Sequence, residues 1–379
     1  MRVPAALRPA CVAALGAILD DGVDTAVAAR AVVARAANNT ERVAVKDALY
    51  RASIFRLRLA ALMGADRDAW LDAAVDDAIV DDARAAVDVD DLVVLRSCPP
   101  LVAARLVASL GLAGADAFLR ASNRPGPLTV RANVLRTSRD ALAEELRSEG
   151  VDVDVDPLSP WALTVHTRAP LLRTRAWARG AFEVQDAASQ RVVVAADAQA
   201  GNVVVDVCAG RGGKTLALAA QMGDDGVVVA EDVDDDALAV LAGRARRLGL
   251  RCVRVRGAVD VDGDAGSADV VVVDAPCTSL GVLRRSPDLR FRLSADDVAQ
   301  LGPVQRAVLL HGLSLVKPGG RLVYATCSVL LEENDAVVDD VVADVRGAGV
   351  DVDVCARDAL GPHTHTCDGF FIATLRKNT

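Results

Sequence analysis

Asn202-Val-Val-Val-Asp206-Val-Cys-Ala-Gly210-Arg-Gly-Gly-Lys214-Thr-Leu-Ala-Leu-Ala-Ala-Gln-Met222 is the stretch whose reading decides the fold. Its valine run lacks the alternation of a half-exposed strand, which is the pattern of a parallel strand buried on both faces. The run breaks into glycines and resumes at helical spacing. A strand, a glycine turn and a helix form the opening unit of an open α/β sheet, where ligands sit beyond the carboxyl ends of the strands. Gly210, Gly212 and Gly213 let the backbone turn tightly and approach a ligand with no Cβ in the way. The turn is not a phosphate loop of the G-x-x-x-x-G-K-[ST] kind, because position 208 is cysteine. It is not the G-x-G-x-x-G dinucleotide turn, because position 215 is threonine.

The same alternation continues to the end of the chain. Strands are expected at 202–206, 226–231, 252–256, 269–274, 321–326 and 369–375, and helices at 214–222, 234–248, 296–316 and 332–345. This order predicts a doubly wound, mostly parallel sheet with helices on both faces. The second strand ends at Glu231-Asp232, and a carboxylate at that tip can accept hydrogen bonds from the hydroxyls of a ribose. Helix capping is the alternative for an isolated acidic pair. The glycine turn ahead of it favours the ribose role for Asp232.

Two later strands each break at a cysteine. Val271-Val-Val-Asp274-Ala-Pro-Cys277 and Leu322-Val-Tyr-Ala-Thr-Cys327 would bring two thiols to neighbouring strand ends. A buried, inert thiol is the common state of a free cysteine. Two at adjacent strand ends suggest separate jobs, one attacking and one handling a proton, as carbon-5 methylation of a pyrimidine requires. Beyond them, Arg284, Arg285, Arg290 and Arg292 surround Phe291, a composition suited to phosphates and to base stacking or plain packing.

Residues 1–95 read as a helical domain, with apolar residues at three- and four-residue spacing and a helix start near Asn39-Thr40. Cys98-Pro99-Pro100 breaks the pattern, and residues 96–185 are expected to form a small α+β subdomain that binds RNA. Residues 186–379 form the α/β domain. No stretch approaches the roughly 18 to 20 uninterrupted apolar residues of a bilayer span. The N-terminus lacks a small-residue cleavage site, so a cytoplasmic protein without membrane contact is expected. The eight scattered cysteines of the 379 residues fit reduced thiols.

The net charge of −9 does not favour a polyanionic partner, but phosphate binding depends on local basic patches. The acidic runs, 339–353 among them, read as solvated faces and turns. Only four lysines occur, and Lys214 in the glycine turn is the one where a compact ammonium is most plausibly required. His363, His365 and Cys367 supply three ligands within five residues, short of a closed zinc site, so a loop and no metal are expected.

Taken together, Phe182–Gln190, Asp206–Thr215, Asp274–Arg292, Leu322–Asn334 and Cys367–Lys377 resemble the RsmB/Sun family of RNA cytosine-carbon-5 methyltransferases, and Asn123–Leu135 resembles the strand before its catalytic domain. The resemblance covers about residues 123–377. It implies a Rossmann-like methyltransferase domain, and the helical region is compatible with the NusB-like domain of bacterial members. It also implies S-adenosylmethionine as cofactor, held by Cys208, Ala209, Gly210, Arg211, Gly212, Gly213, Lys214, Asp232 and Asp274. Cys327 would then be the nucleophile, with Cys277 assisting product release and Asp274 contacting the base. The chain departs from the family at Gly210-Arg211, where Ala-Pro is usual. It also places Ala258 where a third-strand aspartate is usual, leaving Asp260 or Asp262 as substitutes. The implied substrate is ribosomal RNA of the small subunit, with transfer RNA second, acted on by a monomer. A DNA cytosine methyltransferase is disfavoured by the Thr326-Cys327-Ser328 segment. A non-catalytic ribosome-assembly factor is disfavoured by the presence of both cysteines.

Overall fold

The computed structural model describes residues 2–76, 84–166, 171–257 and 265–378. The chain forms two compact units, one of residues 1–125 with 282–295, the other of residues 126–281 with 296–379.

The first unit is helical: α1 (Arg8–Asp20), α2 (Thr25–Val33), α3 (Asn39–Ile54), α4 (Arg56–Met63), α5 (Arg67–Ala73), α6 (Val89–Leu95) and α7 (Pro100–Ser122). Leu15, Leu49, Leu59 and Leu71 are buried at its centre with Trp70. Asn38 caps α3 by accepting from the Glu41 amide at 2.9 Å, one residue before the expected start. The unit runs past the expected boundary at 95/96. Pro99 and Pro100 begin α7, where proline suits the first turn because its missing N–H has no helical partner. By length and composition α7 is apolar enough to cross a bilayer. Its backbone breaks at Gly111 (φ +69°), however, so it is two shorter helices joined at a kink.

Residues 282–295 belong to this unit through buried polar contacts. The Asp288 carboxylate accepts from Thr25 Oγ1 at 2.7 Å, Ser53 Oγ at 2.8 Å and the Thr25 amide at 2.9 Å. Arg290 is fully buried and donates to Asn123 Oδ1 at 2.7 Å. The Arg56 guanidinium lies 3.3 Å from the centre of the Phe291 ring.

The second unit opens with a four-stranded antiparallel sheet of β1 (Leu128–Ala132), β2 (Val153–Val155), β3 (Ala162–Val165) and β4 (Phe182–Val184), in the order β2-β3-β1-β4. Helix α8 (Arg139–Ser148) packs Leu142 and Leu146 against Val130, Leu163 and Phe182. After α9 (Arg175–Ala178) and α10 (Ala187–Ala196) comes the large sheet. Its strands are β5 (Val203–Val207), β6 (Val227–Asp232), β7 (Val253–Gly257), β8 (Ala268–Asp274), β9 (Val316–Thr326), β10 (Val352–Leu360) and β11 (Phe370–Lys377). The order is β10-β11-β9-β8-β5-β6-β7, parallel from β9 through β7 and antiparallel at β11 and β10. Helices α11 (Gly213–Gln221), α12 (Asp235–Leu248), α13 (Ala295–Leu315) and α14 (Asp335–Gly347) complete it. Val204, Val228, Val272 and Val323 face one core with α10 and α11. Val205, Val271, Val273 and Leu322 face another with α13 and α14. Burial on both faces is why these strands carry valine runs without alternation.

The order in which strands are added reverses at β5, with β6 and β7 on one side and β8 and β9 on the other, so the carboxyl ends of the parallel β5 and β8 lie side by side. That is the crevice in which an open α/β sheet binds its ligands.

Candidate active site

The glycine turn folds back against the tip of β6. Cys208 (φ +65°) leaves β5, and the Ala209 amide donates to the Glu231 carbonyl at 2.8 Å. The Gly210 amide donates to Asp232 Oδ2 at 2.7 Å. Gly212 (φ +81°) starts the turn into α11, and a Cβ there would stand 2.4 Å from Leu241 Cγ. Its glycine is thus required by both conformation and packing. Arg211 is exposed and its carbonyl accepts from Arg244, and the Gly213 carbonyl accepts from Arg131. Asp232 is not the helix cap, since Asp234 fills that role by accepting from the Ala237 amide at 3.0 Å. Each Asp232 oxygen accepts one backbone amide, and a carboxylate offers further lone pairs to a ligand.

A cavity of about 480 Å³ opens at this edge, lined by Cys208, Asp232, Val233, Asp274, Pro276, Val308 and His311. One wall is fixed by Glu231, which pairs with Arg256 and meets His311 Nε2 at 3.1 Å. Valine and proline flank the cavity and a carboxylate stands at its rim. This donor set fits a nucleoside with a ribose diol, the recognition element of S-adenosylmethionine. Asp206 Oδ1 is buried with no hydrogen-bond partner among the described residues, an acceptor left open beneath the turn. Burial pushes the Asp206 carboxyl up to about 7, against the opposing bond from Thr215 Oγ1 at 2.6 Å.

The two cysteines meet beside this cavity. Cys277 Sγ and Cys327 Sγ are 3.4 Å apart, both as free thiols, and Cys327 Sγ is also 3.4 Å from Ser279 Oγ. The pair is chemically unequal. The hydrogen bond from Cys277 lowers the Cys327 thiol below its ordinary range, helped by Ser279 and Lys214 against burial and the Asp274 charge. The same bond raises Cys277, with burial and the charges of Cys327 and Glu333 adding to it. The two shifts run in opposite directions, so Cys327 is the thiol of the pair that ionises more readily. Lys214 is buried and ion-paired with Asp274. Burial works against its charge, but Asp274 and Asp206 outweigh that and hold it protonated.

Sequence reasoning missed the residues that hold the two loops together. Glu333, 1% exposed, accepts from the Thr278 amide at 2.8 Å, Thr278 Oγ1 at 2.6 Å, Gln305 Nε2 at 3.0 Å and Ser328 Oγ. Gln305 also donates to the Pro276 carbonyl at 2.9 Å. The Gly281 amide donates to the Cys327 carbonyl, and the Gly369 amide to the Gly281 carbonyl, at 2.9 and 2.8 Å. The one available signal was a carboxylate and a glutamine amid otherwise apolar helical and strand spacing.

Of the four arginines expected to bind RNA, Arg290 is corrected to a structural residue, because its guanidinium is buried and bound to Asn123. Arg285 and Arg292 are exposed and Arg284 is half-buried, all within the helical unit. The Phe291 face is covered by Arg56 rather than open to a base. Asp260 and Asp262 lie outside the described residues, as does Ala258. Cys367 is buried in the core of the sheet, away from a shared site with His363 and His365.

A family model described as 16S rRNA methyltransferase RsmB/F matches residues 193–376, and a ferredoxin-like domain of the RsmF/B-like proteins matches residues 99–171. The second match crosses Pro125, where the helical unit ends. The chain is 31% identical over 319 residues to the human 28S rRNA (cytosine(4447)-C(5))-methyltransferase, covering 76% of this chain and 39% of that protein. It is 30% identical over 286 residues to a probable ribosomal RNA small subunit methyltransferase B of Bacillus subtilis, covering 70% of this chain and 63% of that protein. It thus spans less than two thirds of either relative. A solved methyltransferase homolog from Pyrococcus horikoshii, 28% identical, superposes with a TM-score of 0.68 over 76% of this chain and 98% of that one. The two matched models, the relatives and the thiol pair beyond the glycine turn agree: the chain belongs to the RsmB/F methyltransferase family.

Proposed function

We propose that the protein methylates carbon 5 of a cytosine in ribosomal RNA, with S-adenosylmethionine as donor. The observation that carries this reading is the contact between two thiols beside the cavity, one lowered and the other raised from the ordinary range. S-adenosylmethionine, when bound, supplies an electrophilic methyl group on a sulfonium. Asp232 would hold its ribose, and residues 208–214 with Asp274 would line its site. The Cys327 thiolate adds to carbon 6 of the cytosine, which makes carbon 5 nucleophilic enough to take the methyl group. Asp274, at the end of β8, accepts from the exocyclic amine and orients the base.

Adduct formation turns Cys327 into a thioether and removes the negative charge that held the Cys277 proton. Cys277 then gives that proton to solvent. Its thiolate takes the proton from carbon 5, the carbon 6–sulfur bond breaks, and the electron pair returns to Cys327 Sγ. A base stacked in a helix is out of reach of both thiols, so the target is single-stranded or flipped out.

The name of the Bacillus subtilis relative favours the small-subunit RNA, with transfer RNA second. In this reading the protein works in the cytoplasm as a monomer, and Arg284, Arg285 and Arg292 contribute phosphate contacts with the α+β subdomain. Incubation with methyl-labelled S-adenosylmethionine and separate ribosomal RNA, transfer RNA and DNA tests it. Label is expected in ribosomal RNA as 5-methylcytosine, and none with Cys327→Ala. Label in DNA alone, or full turnover by Cys327→Ala, would overturn it.

A further inference from the structure

We propose that Glu333 is the positioning residue that assigns the two thiols their separate roles, by gripping the Cys277 loop from the Cys327 loop and placing a buried negative charge on the Cys277 side. The proposal rests on the reading of Cys327 as the nucleophile and adds what makes it so.

Two cysteines 3.4 Å apart share one hydrogen bond, and nothing in that bond decides which sulfur keeps the proton. The asymmetry must come from the surroundings. From α11, Lys214 favours charge on Cys327; from β8, Asp274 opposes it. The Ser279 hydroxyl, 3.4 Å from Cys327 Sγ, favours charge on Cys327, and the Ser279 backbone favours it on Cys277. On the other side stands Glu333, whose charge acts on Cys277. Tyr324 of β9, pushed well up by burial, donates its hydroxyl to the Glu333 carbonyl at 2.8 Å and is neutral. Cys208, pushed up to about 12 by burial, is likewise neutral.

A buried carboxylate such as Glu333 is costly unless its oxygens are paired. Here each oxygen accepts two donors, and a carboxylate has four such sites to fill. Two of the donors belong to Thr278, next to Cys277, and one to Ser328, next to Cys327. The side chain therefore sets the separation of the loops as well as the field between them. A cysteine held protonated this way also becomes a stronger base once it ionises, which suits removal of the carbon-5 proton.

The test uses the full chain and iodoacetamide, with the labelled cysteine identified by peptide mass spectrometry as pH is raised. In the wild type Cys327 is expected to label at lower pH than Cys277. Glu333→Gln keeps the shape and removes the charge, so the Cys327 to Cys277 labelling ratio at pH 7 is expected to fall about tenfold, equivalent to roughly 1.4 kcal/mol. Glu333→Asp keeps the charge on a shorter reach and is expected to give an intermediate ratio, which carries the test if the Gln variant does not fold. A wild-type ratio in both variants, or in the Asp variant when it alone folds, would overturn the proposal, as would earlier labelling of Cys277 in the wild type. Those outcomes leave the nucleophile assignment standing if Cys327→Ala still abolishes methylation. Turnover by Cys327→Ala would instead remove the reading beneath it.

Discussion

Asp206 shows how a single residue records the presence of the site. Its carboxyl group is buried under the glycine turn with one oxygen bound to Thr215 and the other without a partner among the described residues. Because burial lifts its folded-state value to about 7, well above the ordinary carboxylate range, the folded protein binds a proton there that the unfolded chain has lost. The sign follows from linkage: a proton held more tightly in the folded state stabilises it at low pH, and that contribution fades as pH rises through about 7. Between pH 5 and pH 8 the wild type is expected to lose roughly 2 to 3 kcal/mol that Asp206→Asn does not lose. Denaturant titrations of both proteins at the two pH values measure it. Parallel losses would mean that Asp206 ionises normally in the fold.

At the scale of elements, the catalytic geometry depends on three backbones touching. A Cβ on Gly281 would stand 2.0 Å from the Gly369 carbonyl oxygen and 2.7 Å from that of Cys327. No rotamer relieves a clash with main chain, so Gly281→Ala must drive the Cys277 and Cys327 loops apart from the start of β11. It is expected to cost about 1 to 3 kcal/mol of stability, in the range for overpacking, and to lower methyl transfer far more than a surface substitution would. A variant with wild-type denaturation midpoint and turnover would show that the loops adjust independently. The parallel strands and their helices were legible because valine runs and helical spacing are local signals, and β5, β6, β7 and β8 fall within a residue of their expected bounds. Strand β10 was not. Asp353 and Asp358 interrupt it, most of it is exposed, and an edge strand with one partner needs no apolar face. Glu333 was illegible for the opposite reason: its meaning lies in partners 28 and 55 residues away.

Across the whole molecule the boundary at Pro125 was equally hidden, because α7 and residues 282–295 join the helical unit through Asn123, Arg290 and Asp288 rather than through neighbours in sequence. The family assignment and the thiol pair converge on one claim, that Cys327 attacks and Cys277 releases. Cys277→Ala retains the Lys214 charge and the Ser279 hydroxyl near Cys327 but removes the acceptor for the carbon-5 proton. Its adduct should form, accept the methyl group and fail to break down. The most direct measurement is a denaturing gel of wild type, Cys277→Ala, Cys327→Ala and the double variant, each incubated with S-adenosylmethionine and ribosomal RNA. A slow-migrating, nuclease-sensitive protein band with Cys277→Ala that vanishes in the double variant is the predicted result. A band with Cys327→Ala and none with Cys277→Ala would contradict the assignment and reverse the two roles.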